Sequence, residues 1–193
     1  LMQEVSLNLG QDVLDCQTLQ SIALQVGADV PFLTQEAPLA LCKGVGEIIS
    51  PLAPAPSLPI LLIKPDIQIS TVEAFRAVDQ QDALSRKRSR AEDFYEALLE
   101  EDYLDLDYFG QNTFYRLSLR ERPILEEIAR LLEESGALFC SMSGSGPTLF
   151  GLFGSEEEAR LAEVNLRSRL NMKVFRARTL SQPAPGPGLV DRT

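Results

Sequence analysis

The sequence predicts an α+β fold whose second half is an antiparallel sheet covered by helices. The first observation is a fully apolar strand at residues 60–63, followed by helical spacing of apolar residues from Thr71 onward. The second is a pair of strands on either side of a glycine-rich turn at residues 143–146. The third is a helix at residues 155–170 that leads into a strand at residues 172–180. This order is the split βαβ arrangement of a ferredoxin-like sandwich, with its helices on one face of the sheet.

Composition and charge restrict the classes of function. The 193 residues are 45% hydrophobic and 24% charged, which is typical of a globular protein with a buried core. A net charge of -10 argues against nucleic acid or an anionic membrane as the main partner. The absence of histidine excludes Ser-His-Asp triads, Cys-His nucleophiles and histidine-ligated metals, and no metal site is predicted. The three scattered cysteines favour a reducing interior, and the apolar runs are too short to span a membrane.

Proline-rich sequence divides the chain. Residues 12–26 carry apolar side chains at helical spacing, and residues 38–50 are typical of two short strands around a Gly-Val-Gly turn. Four prolines between residues 51 and 59 then predict a stiff, extended connector. We therefore expect one domain at residues 1–56, a second at residues 57–182, and a disordered tail at residues 183–193.

Several helices are predicted between the strands of the second domain. Ser70 is a predicted N-cap, with Glu73 at the capping-box position. A basic run at residues 86–90 followed by eight acidic side chains in residues 92–107 is typical of a solvated loop that leads into a surface helix. A nuclear-import or nucleic-acid-binding segment is the alternative interpretation. Apolar side chains at intervals of three and four predict a further helix over residues 121–135.

Asp29 lies in the sequence Gly-Ala-Asp-Val-Pro-Phe at residues 27–32, just beyond a predicted helix. Pro31 excludes Val30 from the α region, so we expect the chain to be extended or turning beside Asp29. A carboxylate held rigidly at such a point can accept a proton from a substrate hydroxyl, or orient that hydroxyl. The alternative is a turn aspartate that satisfies local backbone amides, which is the commoner use of aspartate in such places.

A second candidate is the sequence Ser-Met-Ser-Gly-Ser-Gly-Pro-Thr at residues 141–148. Gly144 and Gly146 flank Ser145, and consecutive amides of such a loop can point the same way and hold an anion. The sequence after the loop is typical of a strand and not of a helix, so the loop fits neither a P-loop nor a Rossmann motif. A plain hairpin turn is the alternative interpretation.

Two further stretches have the composition of ligand contacts. In Gly44-Val45-Gly46-Glu47 the glycines let a ligand approach the backbone, although a β-turn is the favoured interpretation. Thr71 and Phe75 lie four residues apart on one helical face, where a hydroxyl and an aromatic ring can contact a nucleoside. The alternative places Phe75 in the core and Thr71 in an ordinary first turn.

In this order and spacing, the four stretches resemble the GHMP superfamily of small-molecule kinases. The Ser-Gly-Ser-Gly-Pro loop is similar to a motif of the whole superfamily. Gly-Ala-Asp-Val-Pro-Phe with Gly-Val-Gly-Glu narrows the resemblance to the kinases that act on 4-diphosphocytidyl-2-C-methyl-D-erythritol in non-mevalonate isoprenoid biosynthesis. The resemblance implies a two-lobe fold: the end of an N-terminal lobe like domain 2 of ribosomal protein S5, and a complete ferredoxin-like C-terminal domain, with the active site between them.

The resemblance also implies a reaction and roles for single residues. The family transfers the γ-phosphoryl group of ATP, with Mg²⁺, to the 2-hydroxyl of the methylerythritol moiety. The implied enzyme is cytoplasmic, or plastidic in a plant or alga, and acts as a monomer or homodimer without nucleic acid or membrane partners. Asp29 matches the catalytic aspartate, Val45 and Phe75 match residues of the cytosine pocket, Thr71 matches a substrate-contacting threonine, and Gly144, Ser145 and Gly146 match the loop beside phosphates and substrate.

The sequence departs from the family at its start. Members have an N-terminal strand with a catalytic lysine and a Gly-rich loop that binds the ATP phosphates, and neither is found in the 193 residues. The resemblance therefore implies that roughly a third of the enzyme precedes Leu1 and that this chain alone does not transfer phosphate. Thr113 also replaces the second member of the family's usual Asn-Asp pair. Another GHMP kinase, or a non-catalytic remnant that keeps half of a substrate pocket, is the alternative interpretation.

Overall fold

The computed structural model describes residues 16–34, 37–80 and 90–182. The chain divides into two compact units: unit 2 is Ala55–Thr179, and unit 1 is formed by the residues on either side of it. The predicted tail and all but the last residue of the basic run at 86–90 lie outside the described residues.

The described part of unit 1 contains two helices and a hairpin. Its elements are helix α1 (Cys16–Val26), the single-turn helix α2 (Val30–Leu33), and strands β1 (Ala40–Lys43) and β2 (Ile48–Pro51). The two strands are antiparallel, with Cys42 opposite Ile49. The prediction of two short strands around a Gly-Val-Gly turn is therefore confirmed, as is the end of the first helix before Gly27.

The sheet of unit 2 has the strand order of a ferredoxin-like domain. Its strands are β3 (Pro59–Lys64), β4 (Phe139–Met142), β5 (Leu149–Leu152) and β6 (Lys173–Arg178). They lie in the order β4-β5-β3-β6, and every neighbouring pair is antiparallel. On the central strand β3, Leu61 is opposite Gly151 of β5 and Arg176 of β6. The predicted α+β, ferredoxin-like arrangement is thus confirmed.

Six helices lie between or beside the strands in the described part of unit 2. They are α3 (Thr71–Asp79), α4 (Ala91–Glu100), α5 (Leu106–Phe109), α6 (Thr113–Glu121), α7 (Pro123–Glu134) and α8 (Glu156–Arg169). The predicted N-caps are confirmed, since Ser70 Oγ and Ser155 Oγ accept the amides of Glu73 and Glu158 at 3.4 and 3.2 Å. Helix α6 was not predicted, and α7 begins at Pro123, whose fixed φ suits a first helical position. No helix in the described ranges is both long and apolar enough to cross a membrane.

The larger core lies between one face of the sheet and helices α7 and α8. Side chains alternate along β3, so that Leu61 and Ile63 point into this core and are fully buried. Leu132 of α7 and Leu166 of α8 are also fully buried here. This burial of aliphatic side chains by two long helices is the main source of stability for the unit.

A smaller core covers the opposite face of the sheet. Ile60 and Phe150, which alternate with the residues of the larger core, pack with Phe94 of α4 and Leu106 of α5. The expectation that all helices lie on one face is therefore wrong for α4 and α5. Residues 92–107 also contain apolar side chains, and these pack on the second face of the sheet. The high proportion of acidic residues made this apolar face difficult to recognise in the sequence.

Arginines tie the edge strand β6 to helix α8. Arg176 Nε lies 3.2 Å from Glu163 Oε2, and Arg178 forms an ion pair with Glu156. From α8, Arg167 Nη2 donates a hydrogen bond of 2.7 Å to the carbonyl oxygen of Val174.

Candidate functional site

Asp29 lies at the N-cap of the single-turn helix α2, and its side chain is exposed. The expectation that Pro31 keeps Val30 out of the α region is wrong, since Val30 is the first residue of α2 and Pro31 the second. A proline is tolerated in the first turn of a helix, where its fixed φ suits the helical start, and the Pro31 ring is buried. The Asp29 side chain makes no capping hydrogen bond with the amides of this turn. Within the described part of the chain, the structure therefore does not support the alternative, an aspartate that satisfies local backbone amides.

The turn between β1 and β2 contacts the segment that carries Asp29. Gly46 has a φ of +112°, and a Cβ at this position would lie 2.5 Å from the carbonyl oxygen of Ala28. Only glycine permits both this backbone and this approach. Val45 is 70% exposed, and its amide donates to Glu47 Oε2 at 2.6 Å. The favoured β-turn interpretation is correct, and the turn brings Val45 into the same part of unit 1 as Asp29.

In unit 2 the predicted site residues of α3 meet the glycine loop, residues Ser143–Thr148. The Thr71 and Ser145 hydroxyl oxygens are 3.2 Å apart and share a hydrogen bond. Thr71 is the first residue of α3 because Ser70 caps that helix, so the cap determines where this hydroxyl lies. Two candidates that are separated by more than 70 residues in the sequence are thus in direct contact.

The glycine loop is a hairpin turn that leaves two amides open. The Ser143 amide donates to Thr148 at 2.9 Å, and the Gly146 amide donates to Ser143 at 3.0 Å. The amides of Gly144 and Ser145 donate to no acceptor within the described residues. The hairpin-turn interpretation is therefore correct. That the loop also binds an anion stays a prediction, for which the amides of Gly144 and Ser145 are the candidate donors.

The two glycines of this loop are required by its backbone. Gly144 and Gly146 have φ values of +56° and +93°, which side chains of L-residues rarely permit. A Cβ on Gly146 would also collide with the Met142 sulfur and lie 3.0 Å from Ile69 Cδ1. The loop is therefore packed against unit 2 at Gly146 and open at Gly144.

Phe75 lies on the exposed face of α3. Its side chain is 54% exposed, whereas its neighbour Ala74 is buried. The alternative interpretation, which places Phe75 in the core, is therefore wrong. The ring makes an edge-to-face contact with Phe114, with centroids 4.9 Å apart and an interplanar angle of 77°. About half of the Phe75 side chain therefore remains exposed, on the same helix as Thr71.

Sequence reasoning missed Asn112, which links helix α6 to the glycine loop. Its Oδ1 accepts the amides of Phe114 and Tyr115 at 2.9 and 3.2 Å. Its Nδ2 donates to the carbonyl oxygens of Met142 and Gly144 at 2.7 and 3.0 Å. Asparagine is a favoured N-cap, so the start of α6 could have been inferred locally, but the bonds to the loop could not.

A cavity of about 240 Å³ lies beside α6 and α7, and its lining includes the acids Asp107 and Glu133. Burial, and then the charge of Asp107, raise the pKa of the Glu133 carboxyl. Burial raises the pKa of the Asp107 carboxyl more than the Cys140 amide and the Arg116 guanidinium lower it. Burial, assisted by both acids, also raises the pKa of the Cys140 thiol, so this thiol is not a nucleophile at neutral pH. The buried Tyr115 hydroxyl has no partner among the described residues.

Comparisons with known proteins agree on one family. Residues 94–171 match the family model described as GHMP kinases C terminal. A 4-diphosphocytidyl-2-C-methyl-D-erythritol kinase of Clostridium perfringens is 36% identical over 169 residues, which are 86% of this chain and 57% of that protein. The corresponding kinase of Thermodesulfovibrio yellowstonii is 33% identical over 151 residues, or 77% of this chain and 53% of that protein.

Solved structures give the same result. The crystal structure of a 4-(cytidine 5'-diphospho)-2C-methyl-D-erythritol kinase superposes with a TM-score of 0.67 at 27% identity, over 90% of this chain and 60% of that one. A homoserine kinase from Cytophaga hutchinsonii has a TM-score of 0.66 at 20% identity, over 93% of this chain and 62% of that one, and shows the fold alone. The chain spans less than two thirds of the length of these relatives.

Proposed function

Because the chain belongs to the GHMP kinases, we propose that it takes part in the ATP-dependent phosphorylation of 4-diphosphocytidyl-2-C-methyl-D-erythritol at the 2-hydroxyl, a step of non-mevalonate isoprenoid biosynthesis. Relatives named for this substrate, at 31% to 37% identity, support the assignment. The proposal places the reaction in the cytoplasm, or in the plastid of a plant or alga, in a monomer or homodimer.

The observation that carries the proposal is the contact between α3 and the glycine loop. Thr71 and Ser145 share a hydrogen bond of 3.2 Å, and Phe75 on the same helix exposes its ring. A hydroxyl pair beside an open aromatic face suits a nucleoside, since the ring stacks on a base and the hydroxyls bind its polar substituents. The free amides of Gly144 and Ser145 are suited to the phosphate oxygens of such a ligand.

Asp29 is the residue to which the proposal assigns proton transfer. The 2-hydroxyl oxygen forms a bond to the γ-phosphorus of ATP, the bond from that phosphorus to the β,γ-bridging oxygen breaks, and ADP leaves. The proton of the hydroxyl passes to the Asp29 carboxylate and then to solvent. Since the transition state is loose, orientation of the hydroxyl matters more than basicity, and an exposed carboxylate without a capping bond can orient it. Val45, exposed beside this segment, is assigned to the cytosine pocket.

Mg²⁺ accompanies ATP in the proposed reaction and would neutralise charge on the transferred phosphoryl group. No cluster of three or more acidic, cysteine or histidine side chains suited to a metal ion is found in the described part of the chain. No described residue is therefore assigned to the metal.

The test is phosphoryl transfer by the full-length gene product that carries this sequence. We expect ADP release with 4-diphosphocytidyl-2-C-methyl-D-erythritol, and none above background with mevalonate or homoserine. Asp29→Asn keeps the shape of the side chain and removes its charge, so we expect turnover to fall at least about a hundredfold, within the range of general-base losses.

Asp105 provides a matched control. It is also an exposed aspartate at the N-cap of a four-residue helix, and its side chain also makes no capping bond. Asp105→Asn should therefore leave turnover unchanged. Near-normal turnover of Asp29→Asn, or an equal loss in both variants, would contradict the assignment of Asp29. Transfer to mevalonate or homoserine instead would contradict the assignment of the substrate.

A further inference from the structure

The amide group of Asn112 uses its whole hydrogen-bonding capacity. Its oxygen accepts two backbone amides of the first turn of α6, and its nitrogen donates to two carbonyl oxygens, of Met142 and Gly144. Two lone pairs and two N–H groups are all that a side-chain amide has. Since amides face the oxygen and carbonyls face the nitrogen, the orientation of the group is determined by its partners.

Two other favoured N-cap side chains, aspartate and serine, do not satisfy both sets of partners. Aspartate caps helices as well as asparagine does, but it has no donor and would place a charge against the two carbonyl oxygens. Serine also caps a helix, but its hydroxyl is too short to bond two carbonyls some 30 residues away in the chain while it accepts from α6. Helix capping alone therefore does not explain why residue 112 is an asparagine. Hydrogen bonds to both the helix and the loop explain this choice.

We propose that Asn112 is a positioning residue, which fixes the conformation of the glycine loop so that its free amides and Ser145 meet the ligand without reorganisation. This rests on the proposed function of the loop. Thr71 contacts the loop at Ser145, and Asn112 contacts it at Gly144, so the two helices hold neighbouring residues. Exposed loops that present donors to a ligand bind it more strongly when their conformation is fixed beforehand.

Helix α6 connects this bridge to the aromatic part of the site. Phe114, two residues after Asn112, makes the edge-to-face contact with Phe75. The start of α6 therefore contacts both proposed ligand-binding elements. The Asn112 side chain contacts the glycine loop, and Phe114 contacts the ring of Phe75. A substitution at Asn112 that removes its hydrogen bonds to the loop but preserves the cap of α6 therefore separates the effect on the loop from the effect on Phe75.

The experiment compares amide hydrogen exchange in the 193-residue chain and its variants by NMR. In Asn112→Asp the carboxylate still accepts the Phe114 amide, but the donors to the loop are lost. We expect the hydrogen-bonded amides of Ser143 and Gly146 to exchange at least about tenfold faster, while the Phe114 amide changes little. The same pattern is expected for Asn112→Ser, so that failure of one variant to fold leaves the other as the test.

Ser155→Ala is the control for loss of a cap, because Ser155 caps α8 and makes no bond to the loop. It should leave the exchange of Ser143 and Gly146 unchanged when the chain remains folded. Unchanged loop exchange in both Asn112 variants, or equally fast exchange in Ser155→Ala, would overturn the proposal.

Binding of cytidine 5'-diphosphate, measured by calorimetry, separates this proposal from the proposed function. Asn112→Ser is used here, since it adds no charge near the phosphates, and we expect its dissociation constant to rise about fivefold or more. If the parent chain binds the nucleotide and the variant binds equally well despite faster loop exchange, the positioning role is wrong. If the parent chain does not bind cytidine 5'-diphosphate, the proposal that unit 2 binds a nucleotide is wrong. The hydrogen-exchange data then still decide whether Asn112 fixes the conformation of the loop.

Discussion

A methyl group added at Gly146 measures how firmly the glycine loop is held. Alanine there must adopt a φ of +93°, and its Cβ would collide with the Met142 sulfur and approach Ile69 Cδ1 to 3.0 Å. Gly144 and Gly136 provide matched comparisons, because their φ values of +56° and +88° are also positive but no heavy atom lies within 4 Å of an added Cβ. The three alanine variants thus share backbone strain, and only one adds a collision.

The expected magnitudes follow from these two contributions. A left-handed backbone costs an alanine about 1–2 kcal/mol. Alanine also has less conformational entropy than glycine in the unfolded chain, and this difference offsets about 0.4–1 kcal/mol of that cost. Gly144→Ala and Gly136→Ala should therefore lower the free energy of unfolding by about 1 kcal/mol. Overpacking adds about 1–3 kcal/mol, so Gly146→Ala should lower it by about 2–4 kcal/mol.

Tyrosine fluorescence in a urea titration measures this difference for unit 2 alone. The chain has no tryptophan, and its four tyrosines all lie between residues 95 and 115, within unit 2. With a urea dependence of about 1–3 kcal/mol per molar, the midpoint of Gly146→Ala should fall roughly 1 M below that of Gly144→Ala. Equal midpoints for the two variants would refute the reasoning, because Met142 and Ile69 would then move aside without cost.

Three further substitutions test other parts of unit 2. Leu132→Ala should lower the free energy of unfolding by about 2–5 kcal/mol, and the exposed control Leu161→Ala by less than about 0.5, in the same titration. Glu133→Gln should raise the free energy of unfolding at pH 7, since the raised pKa means that ionisation of this partly exposed carboxyl opposes folding; the gain should vanish at a pH where the carboxyl is protonated in both the folded and the unfolded chain, and a gain that persists there would contradict this cause. Phe75→Ala should weaken cytidine 5'-diphosphate binding about tenfold by calorimetry, and unchanged affinity would exclude stacking.

Local chemistry made much of the fold predictable. Ser70 and Ser155 cap the helices that their sequences indicate, because an N-cap depends only on the next three residues. The apolar strand at residues 60–63 and the spacing of the later elements were enough to infer the order of the sheet. The positive φ values of Gly144 and Gly146 likewise agree with the turn inferred from sequence.

The errors came from interactions that are distant in the sequence. The alternative that places Phe75 in the core rested on the usual burial of a large aromatic side chain at helical spacing, but Ala74 occupies the buried position of α3. Helix α6 was missed because Arg116, Ser118 and Arg120 interrupt its apolar spacing. The bonds from Asn112 to Met142 and Gly144 cross about 30 residues, and no local pattern indicates them.

The charged side chains of strand β6 also bear on how separate molecules meet. A foreign strand that extended the sheet at this edge would have to displace Arg167 from the carbonyl oxygen of Val174 and separate Arg176 and Arg178 from the acids of α8. Each displaced arginine would need new partners from the incoming chain, which an apolar segment cannot supply. Intermolecular sheet growth is therefore discouraged at this edge, and concentrated salt, which screens exposed ion pairs, should relax that protection.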